Sequence, residues 1–270
     1  MLTASLNNKI LAITRKDLDA QEFAKLVSSE GGRTISLSVI DIEVKDPKVV
    51  DEFINAVNEK KHDYCAFMSS QAVEVLFNLA ARINKSGAVI SILNSRTIVA
   101  IGPKTRLSLT KHGIDVKIVP EKYSSKGLIE YFSKMAFVKE KSIIIPRSEA
   151  SKKFLLKALT DLGMYVDELF LYTVFTSHID NNWKDFILLL KQKKVDAIIF
   201  TSASTVRAFF EIMQRLSCNT NALLNGVEAI ISIGPFTNEE LRKRNIRSLE
   251  AKEHTIMGTF ELAKIILCEK

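Results

Sequence analysis

The stretch FTSASTVRAFF, residues 200–210, closes one element and opens the next with no loop between them. The run before it, DAIIF (196–200), is apolar and rich in strand-formers. Val206, Phe209, Phe210 and Met213 then recur at i, i+3, i+4 and i+7, which is one apolar helix face. Thr201, Ser202 or Ser204 supplies the capping hydroxyl. A strand that runs straight into a capped helix leaves hydroxyls and free backbone N–H groups at the carboxyl edge of a sheet, where open α/β sheets bind ligands. The stretch has a twin. In YCAFMSSQAVEVLF, Phe67 ends a strand, Ser69-Ser70 cap, and Val73, Leu76, Phe77 and Ala80 repeat the apolar spacing. Ser69 and Ser202 lie 202 − 69 = 133 positions apart.

Nearly the same offset, 131 to 133, recurs along the whole chain. SIIIPR (142–147) answers ILAITR (10–15), so Arg147 stands opposite Arg15. ISIGPFTNEELRKRNI answers AIGPKTRLSLTKHGI, with Thr237 opposite Thr105, and AKEHTIMGTF answers VPEKYSSKGL, with Thr255 opposite Ser124. A repeat of about 132 residues is far too long for a solenoid and suits two similar domains. Strands alternating with helices within each half imply two parallel sheets, each covered on both faces. The spacing predicts helices near 19–29, 48–59, 70–82 and 181–192, one from Pro103 that ends at Gly113, and one from Ser124 or Ser125 to about 137. Asn84 to Gly87 reads as a loop, and Ser148 as the cap of a helix that buries Phe154, Leu155, Ala158, Leu159 and Leu162.

VIDIEV (39–44) and LFLYTVF (169–175) occupy equivalent places in the repeat and are the expected crossings between domains. That makes 43–170 one continuous domain, with 1–40 and 174–270 forming the other from both ends of the chain.

The 270 residues are 47% hydrophobic and 26% charged, as in an ordinary folded protein. No apolar stretch is long enough to span a bilayer and no signal peptide is legible, so membrane partners are not expected. Cys65, Cys218 and Cys268 are odd in number and scattered, which fits a reducing, cytoplasmic setting and gives no zinc spacing. The four histidines are isolated from one another and from cysteine, so no metal is expected. The net charge of +7 comes from basic residues spread over many helices, without a nucleic-acid recognition motif. That leaves an anionic small molecule or a merely basic surface.

GxSxG, P-loop, GxGxxG and HExxH signatures are missing. What repeats is a set of Ser/Thr-rich helix starts: Ser69/Ser70, Thr105, Ser124/Ser125, Ser202/Ser204, Thr237 and Thr255. Each alone is an ordinary helix cap. Six of them, paired by the repeat, point to two lobes presenting N–H groups and hydroxyls to one anionic ligand. Arg15 and Arg147 end the first strand of each half, placed either for bidentate carboxylate binding or for a structural ion pair. Tyr172 lies in a crossing, either facing a ligand or packing there.

Taken in order, ITR, FMSSQAV, IGPKT, VPEKYSSKGL, IPRSE, LYTVF, FTSASTVRAFF, SIGPFT and EHTIMG resemble the uroporphyrinogen-III synthase family over essentially the whole chain. Met68 departs from the family's frequent Thr, and Ser70 and Ala203 stand where Pro is common. The resemblance implies two flavodoxin-like α/β domains joined by a two-segment hinge. It implies a cofactor-free, monomeric lyase of tetrapyrrole (haem) biosynthesis. Such an enzyme cyclises hydroxymethylbilane to uroporphyrinogen III with ring D inverted and water lost, and meets hydroxymethylbilane synthase transiently at most. It matches Tyr172 to a tyrosine that assists departure of the hydroxyl. Substrate binding is expected at Arg15, Ser69, Ser70, Thr105, Ser124, Arg147, Ser202, Ala203, Thr237 and Thr255. A non-catalytic bilobal binder of an anionic molecule is the alternative. An enzyme acting on a phosphorylated or nucleotide substrate would need a Gly-rich phosphate loop, and the chain has none.

Overall fold

The computed structural model describes residues 5–151 and 153–268. In chain order the elements are β1 (Ile10–Ile13), α1 (Leu18–Ser29), β2 (Arg33–Ser36), β3 (Ile40–Val44), α2 (Val49–Lys60), β4 (Tyr64–Phe67), α3 (Ser70–Arg82) and α4 (Ser86–Asn94). Then come β5 (Thr97–Ala100), α5 (Pro103–Lys111), β6 (Val116–Ile118), α6 (Ser125–Ser133), β7 (Ser142–Ser148), α7 (Phe154–Asp161) and β8 (Tyr165–Thr176). The chain closes with α8 (Asn181–Lys191), β9 (Ala197–Phe200), α9 (Ala203–Arg215), α10 (Thr220–Leu224), β10 (Ala229–Ser232), α11 (Pro235–Arg242), β11 (Leu249–Glu250) and α12 (Ile256–Cys268). The chain divides into two compact units, residues 1–41 with 175–270, and residues 42–174.

In the first unit the strand order is β11-β10-β9-β1-β2, all parallel. Renumbered within the unit, that is 2-1-3-4-5, the flavodoxin-like order, with its reversal between β1 and β9. Side chains alternate across the sheet and both faces are buried. Leu11, Ile13, Ala197 and Ile199 pack with Phe23 of α1 and Phe260 of α12. Ala12, Ile198 and Phe200 pack on the other face with Trp183 and Phe186 of α8 and Phe209 of α9. Phe209 meets Trp183, Phe186 and Phe200 at ring-centroid distances of 5.4, 5.9 and 5.1 Å. The Trp183 indole donates to the Ser38 carbonyl at 2.8 Å, so the one tryptophan is buried without an orphan donor.

The second unit has the order β3-β8-β7-β4-β5-β6. With β7 and β8 read as its first two strands, β8-β7-β4-β5-β6 is again 2-1-3-4-5. The unit is thus a circular permutation of the first, reversing between β7 and β4. Phe53, Phe67, Val73, Leu76 and Leu93 fill one face, and Tyr64, Phe132, Ile143, Ile145, Leu155 and Leu159 the other. The extra strand β3 departs from the expected all-parallel sheet. The Lys45 N–H donates to the Leu171 carbonyl and the Ser177 N–H to the Val39 carbonyl, so the β3 and β8 segments run antiparallel.

Several local expectations need correction. Asn84–Gly87 is not all loop: Ser86 and Gly87 already open α4, whose Val89, Ile92 and Leu93 form a buried i, i+3, i+4 set. Helix α6 stops at Ser133 rather than near 137, and Phe137 beyond it is 84% exposed. Ser148 does not cap α7: it ends β7, and its Oγ accepts the Ala150 N–H in a local turn. Phe154, expected in the core, opens α7 on the exposed side, while Leu155 and Leu159 are buried. LFLYTVF lies within β8, which runs unbroken from Tyr165 to Thr176.

Candidate functional site

At the switch point of the second unit, the carboxyl ends of β7 and β4 diverge and leave a cavity of about 400 Å3. Its lining includes Ser69, Tyr123, Ser124, Arg147, Ser148 and Tyr172. Each arrives there for a local reason. Phe67 anchors β4 in the core, and Ser69 turns the chain into α3 as its N-cap, its Oγ accepting the Ala72 N–H at 3.2 Å. Ser124 does the same for α6, accepting from Gly127 N–H at 3.1 Å. Arg147 is carried by β7 and Tyr172 by the neighbouring β8, where Ser148 and Tyr172 are paired in register. The Tyr172 carbonyl accepts the Glu149 N–H at 2.9 Å, tying the two strand ends together. Tyr172 is 5% exposed, and among the described residues nothing hydrogen-bonds its hydroxyl.

Among the described residues Arg147 is the only cation lining this cavity, and it is 8% exposed. Its Nη1 donates to Glu168 Oε1 at 2.7 Å, within a pair whose side chains are 9% and 10% exposed. Its buried Nε has no hydrogen-bond partner among the described residues. A buried guanidinium that is only partly satisfied is costly unless something else completes it. A second cavity of about 560 Å3, lined by Ser125, Lys126, Arg147, Ser151 and Phe154 among others, shares that arginine. Sequence reasoning does not single out Glu168. The usable signal is an acidic pair, Asp167-Glu168, inside an apolar strand, because a charge placed there must find a partner.

The backbone at α6 is packed closely around a glycine. A Cβ on Gly127 would lie 1.9 Å from the Lys122 carbonyl oxygen, so the loop before Ser124 folds back against bare backbone. Gly258 repeats this in the first unit, 2.2 Å from the Glu253 oxygen. Gly127→Ala is expected to cost on the order of 2 kcal/mol in urea unfolding, because backbone rather than a flexible side chain must yield. An unchanged midpoint would show that the loop relaxes freely.

The first unit carries the matching positions with different surroundings. Ser202 caps α9 in a reciprocal capping box with Thr205, and its Oγ lies 2.8 Å from Ser204 Oγ. Ala203 is the first residue of α9. Thr255 Oγ1 accepts the Gly258 N–H at 3.0 Å ahead of α12. Arg15 is engaged with its own helix start: its Nε donates to Asp17 Oδ1 at 2.9 Å and its Nη1 lies 2.9 Å from Asp19 Oδ2. Burial alone would raise the Asp17 carboxyl, but the hydrogen bonds and charge of Arg15 outweigh it and hold Asp17 below its usual range. Arg15 and Arg147 are therefore repeat-mates with different loads. Thr105 and Thr237 each sit in the first turn of a helix at 3% exposure, and Thr105 does not line the cavity. Ser70 is the first residue of α3, half-buried beside Ser69.

No helix among the described residues is long and apolar enough to cross a membrane. Comparison with known proteins places these features in a family. The model for "Uroporphyrinogen-III synthase HemD" matches residues 21–261. A putative uroporphyrinogen-III synthase from Methanothermobacter thermautotrophicus is 27% identical over 250 residues, 91% of this chain and 94% of the relative. A uroporphyrinogen-III synthase from Synechococcus elongatus is 28% identical over 265 residues, 96% of this chain and 95% of the relative. Among solved structures, a mutant uroporphyrinogen III synthase from the extremely thermophilic bacterium Thermus thermophilus has the same fold. Its TM-score is 0.63 at 18% identity, over 94% of this chain and 98% of that one.

Proposed function

The chain belongs to the uroporphyrinogen-III synthase family, cyclising lyases of tetrapyrrole biosynthesis, and from that premise we propose that it closes hydroxymethylbilane to uroporphyrinogen III. The observation that carries this reading is the switch-point cavity, where an otherwise unbonded tyrosine hydroxyl, capping serines and a part-satisfied arginine share one wall. The alternative of a non-catalytic binder is not favoured by a family match of this extent.

The chemistry asks little of a side chain and much of a scaffold. The pyrrole nitrogen of ring A pushes out the terminal hydroxyl, which leaves as water once it receives a proton, and an azafulvene cation remains. The substituted α-carbon of ring D attacks that cation and forms a carbon–carbon bond at a spiro centre. The older bond from that centre to ring C then breaks, the fragment re-adds at ring D's other α-carbon, and loss of one proton restores the pyrrole. The balance is one substrate to one product and one water.

The carbocation forms readily, so the decisive step is which carbon of ring D lies near it. That is catalysis by positioning, for which well-oriented partners reach large effective molarities. In this proposal Tyr172 donates to the departing hydroxyl. Ser69, Ser70, Ser124 and Arg147 take substrate carboxylates at helix starts, where each charge is worth about 0.3–1 kcal/mol. Arg15, Thr105, Ser202, Ala203, Thr237 and Thr255 are proposed as further substrate contacts.

The test is a coupled assay. Hydroxymethylbilane is generated in situ by its synthase, the chain is added, and the oxidised uroporphyrins are separated. Unaided closure gives the type I isomer, so a shift to type III is expected. Type I alone from folded protein would overturn the reading.

A further inference from the structure

Tyr123 is 63% exposed although most of the groups that line its cavity are buried or half-buried, and it rests against a glycine. A Cβ on Gly102 would lie 3.1 Å from Tyr123 Cγ and 3.2 Å from its Cβ. The Gly102 φ of −172° is ordinary extended backbone, so no conformational demand selects glycine there. What the position needs is an absent side chain, which lets the root of the ring rest on the chain at the start of α5. The Gly127 contact with Lys122 folds the preceding loop into the same place.

The arrangement is repeated in the first unit. Gly234, with φ −178°, would bring a Cβ to 3.2 Å from His254 Cγ, and His254 precedes Thr255 as Tyr123 precedes Ser124. A flat ring seated on a glycine beside a Ser/Thr helix start is thus built twice, with an exposed ring each time. Coverage of the core does not explain it, since both rings stand in the open.

Resting on the synthase reading above, we propose that Tyr123 is a stacking platform for one pyrrole ring of the substrate, positioned while Arg147 receives a carboxylate from the same end of the chain. The two contacts fit one ligand class, an electron-rich aromatic ring bearing carboxylate arms. A plain inorganic anion would use Arg147 and the serines and leave Tyr123 idle. Offset stacking needs only the face of the ring, so the phenol hydroxyl of Tyr123 takes no part.

The experiment is a set of four variants in the coupled assay, with KM, kcat and isomer ratio read separately and unfolding midpoints measured alongside. Y123A is expected to raise KM about three- to tenfold, with kcat changed less. Y123F keeps the ring face and should recover most of the KM lost in Y123A. G102A forces the root of the ring to give by a few tenths of an ångström and should raise KM less than Y123A does, and it should add nothing in the G102A/Y123A double variant, because the two residues act as one unit. Should Y123A not fold, Y123L keeps the packing on Gly102 and is expected to raise KM in its place. Wild type yielding type III while Y123A or Y123L keeps a normal KM, or G102A effects that add fully in the double variant, would overturn the platform and leave the synthase reading intact. Type I alone from wild type would overturn both.

Discussion

Tyr172→Phe is expected to lower kcat about 100-fold, within a range of about 10²–10⁴, while KM stays within about twofold. The change removes one oxygen from a side chain that is 5% exposed and leaves its ring in the core cluster with Phe67, Leu76 and Leu171. Nothing among the described residues depends on that hydroxyl as a hydrogen-bond partner, so the fold should be indifferent to its loss. A 100-fold loss corresponds to about 2.7 kcal/mol of barrier, the scale of a positioned general acid rather than of the whole catalysis. Turnover therefore slows without vanishing, because the scaffold still folds the substrate. A second signature follows. Slow departure of the hydroxyl gives unaided closure more time, so the type III share should fall along with the rate. A Phe variant with unchanged kcat and isomer ratio would remove Tyr172 from the mechanism and leave it as a packing residue.

Periodicity carries the elements that end in the site, and for a physical reason. The strand-to-helix junctions at Ser69 and Ser202 are built from local rules alone, an apolar run, a capping hydroxyl and an i, i+3, i+4 face. Helices α3 and α9 accordingly begin directly after those two serines. The contacts that make the site a site are not local. Arg147 meets Glu168 across two neighbouring strands, and Tyr123 meets Gly102 across a helix start and a loop, pairs 168 − 147 = 21 and 123 − 102 = 21 residues apart. No pattern within one element reports such pairs. The repeat itself matches Arg15 with Arg147 by position, but position does not fix partners. Asp17 and Asp19 sit two and four residues after Arg15 and claim it. Glu149 stands two residues after Arg147, yet its carboxylate pairs with Lys45 at 2.7 Å, and Arg147 turns to Glu168 instead. Nor does a linear repeat show that one unit is the other permuted. Strand order exposes that, and with it the switch point between β7 and β4 that gathers these side chains. Helix α4 is legible in its buried triplet, but the polar lead-in NKSG outweighs that triplet and makes the segment read as loop.

The buried pair lets stability and binding be pulled apart. Arg147→Met leaves the Glu168 carboxylate about nine-tenths buried with its only described cation gone, and should cost about 3–5 kcal/mol in urea unfolding. Arg147→Met with Glu168→Leu replaces both charges by apolar groups of similar length, and stability should return close to wild type, since such replacements are often neutral or better. If the pair served only the fold, the double variant would be restored in activity as well. A guanidinium that also receives a substrate carboxylate gives the opposite pattern. KM should stay raised in both variants by tenfold or more, the loss of a charge-assisted hydrogen bond of about 1.5–3 kcal/mol. Glu168→Gln keeps the arginine and a hydrogen-bond acceptor, so KM should shift little while some stability is lost. The separating measurement is KM in the stable double variant. A normal value there would make Arg147 a structural ion-pair partner and nothing more. A raised value in a protein of wild-type stability leaves the guanidinium's unpaired edge as the group the substrate has lost.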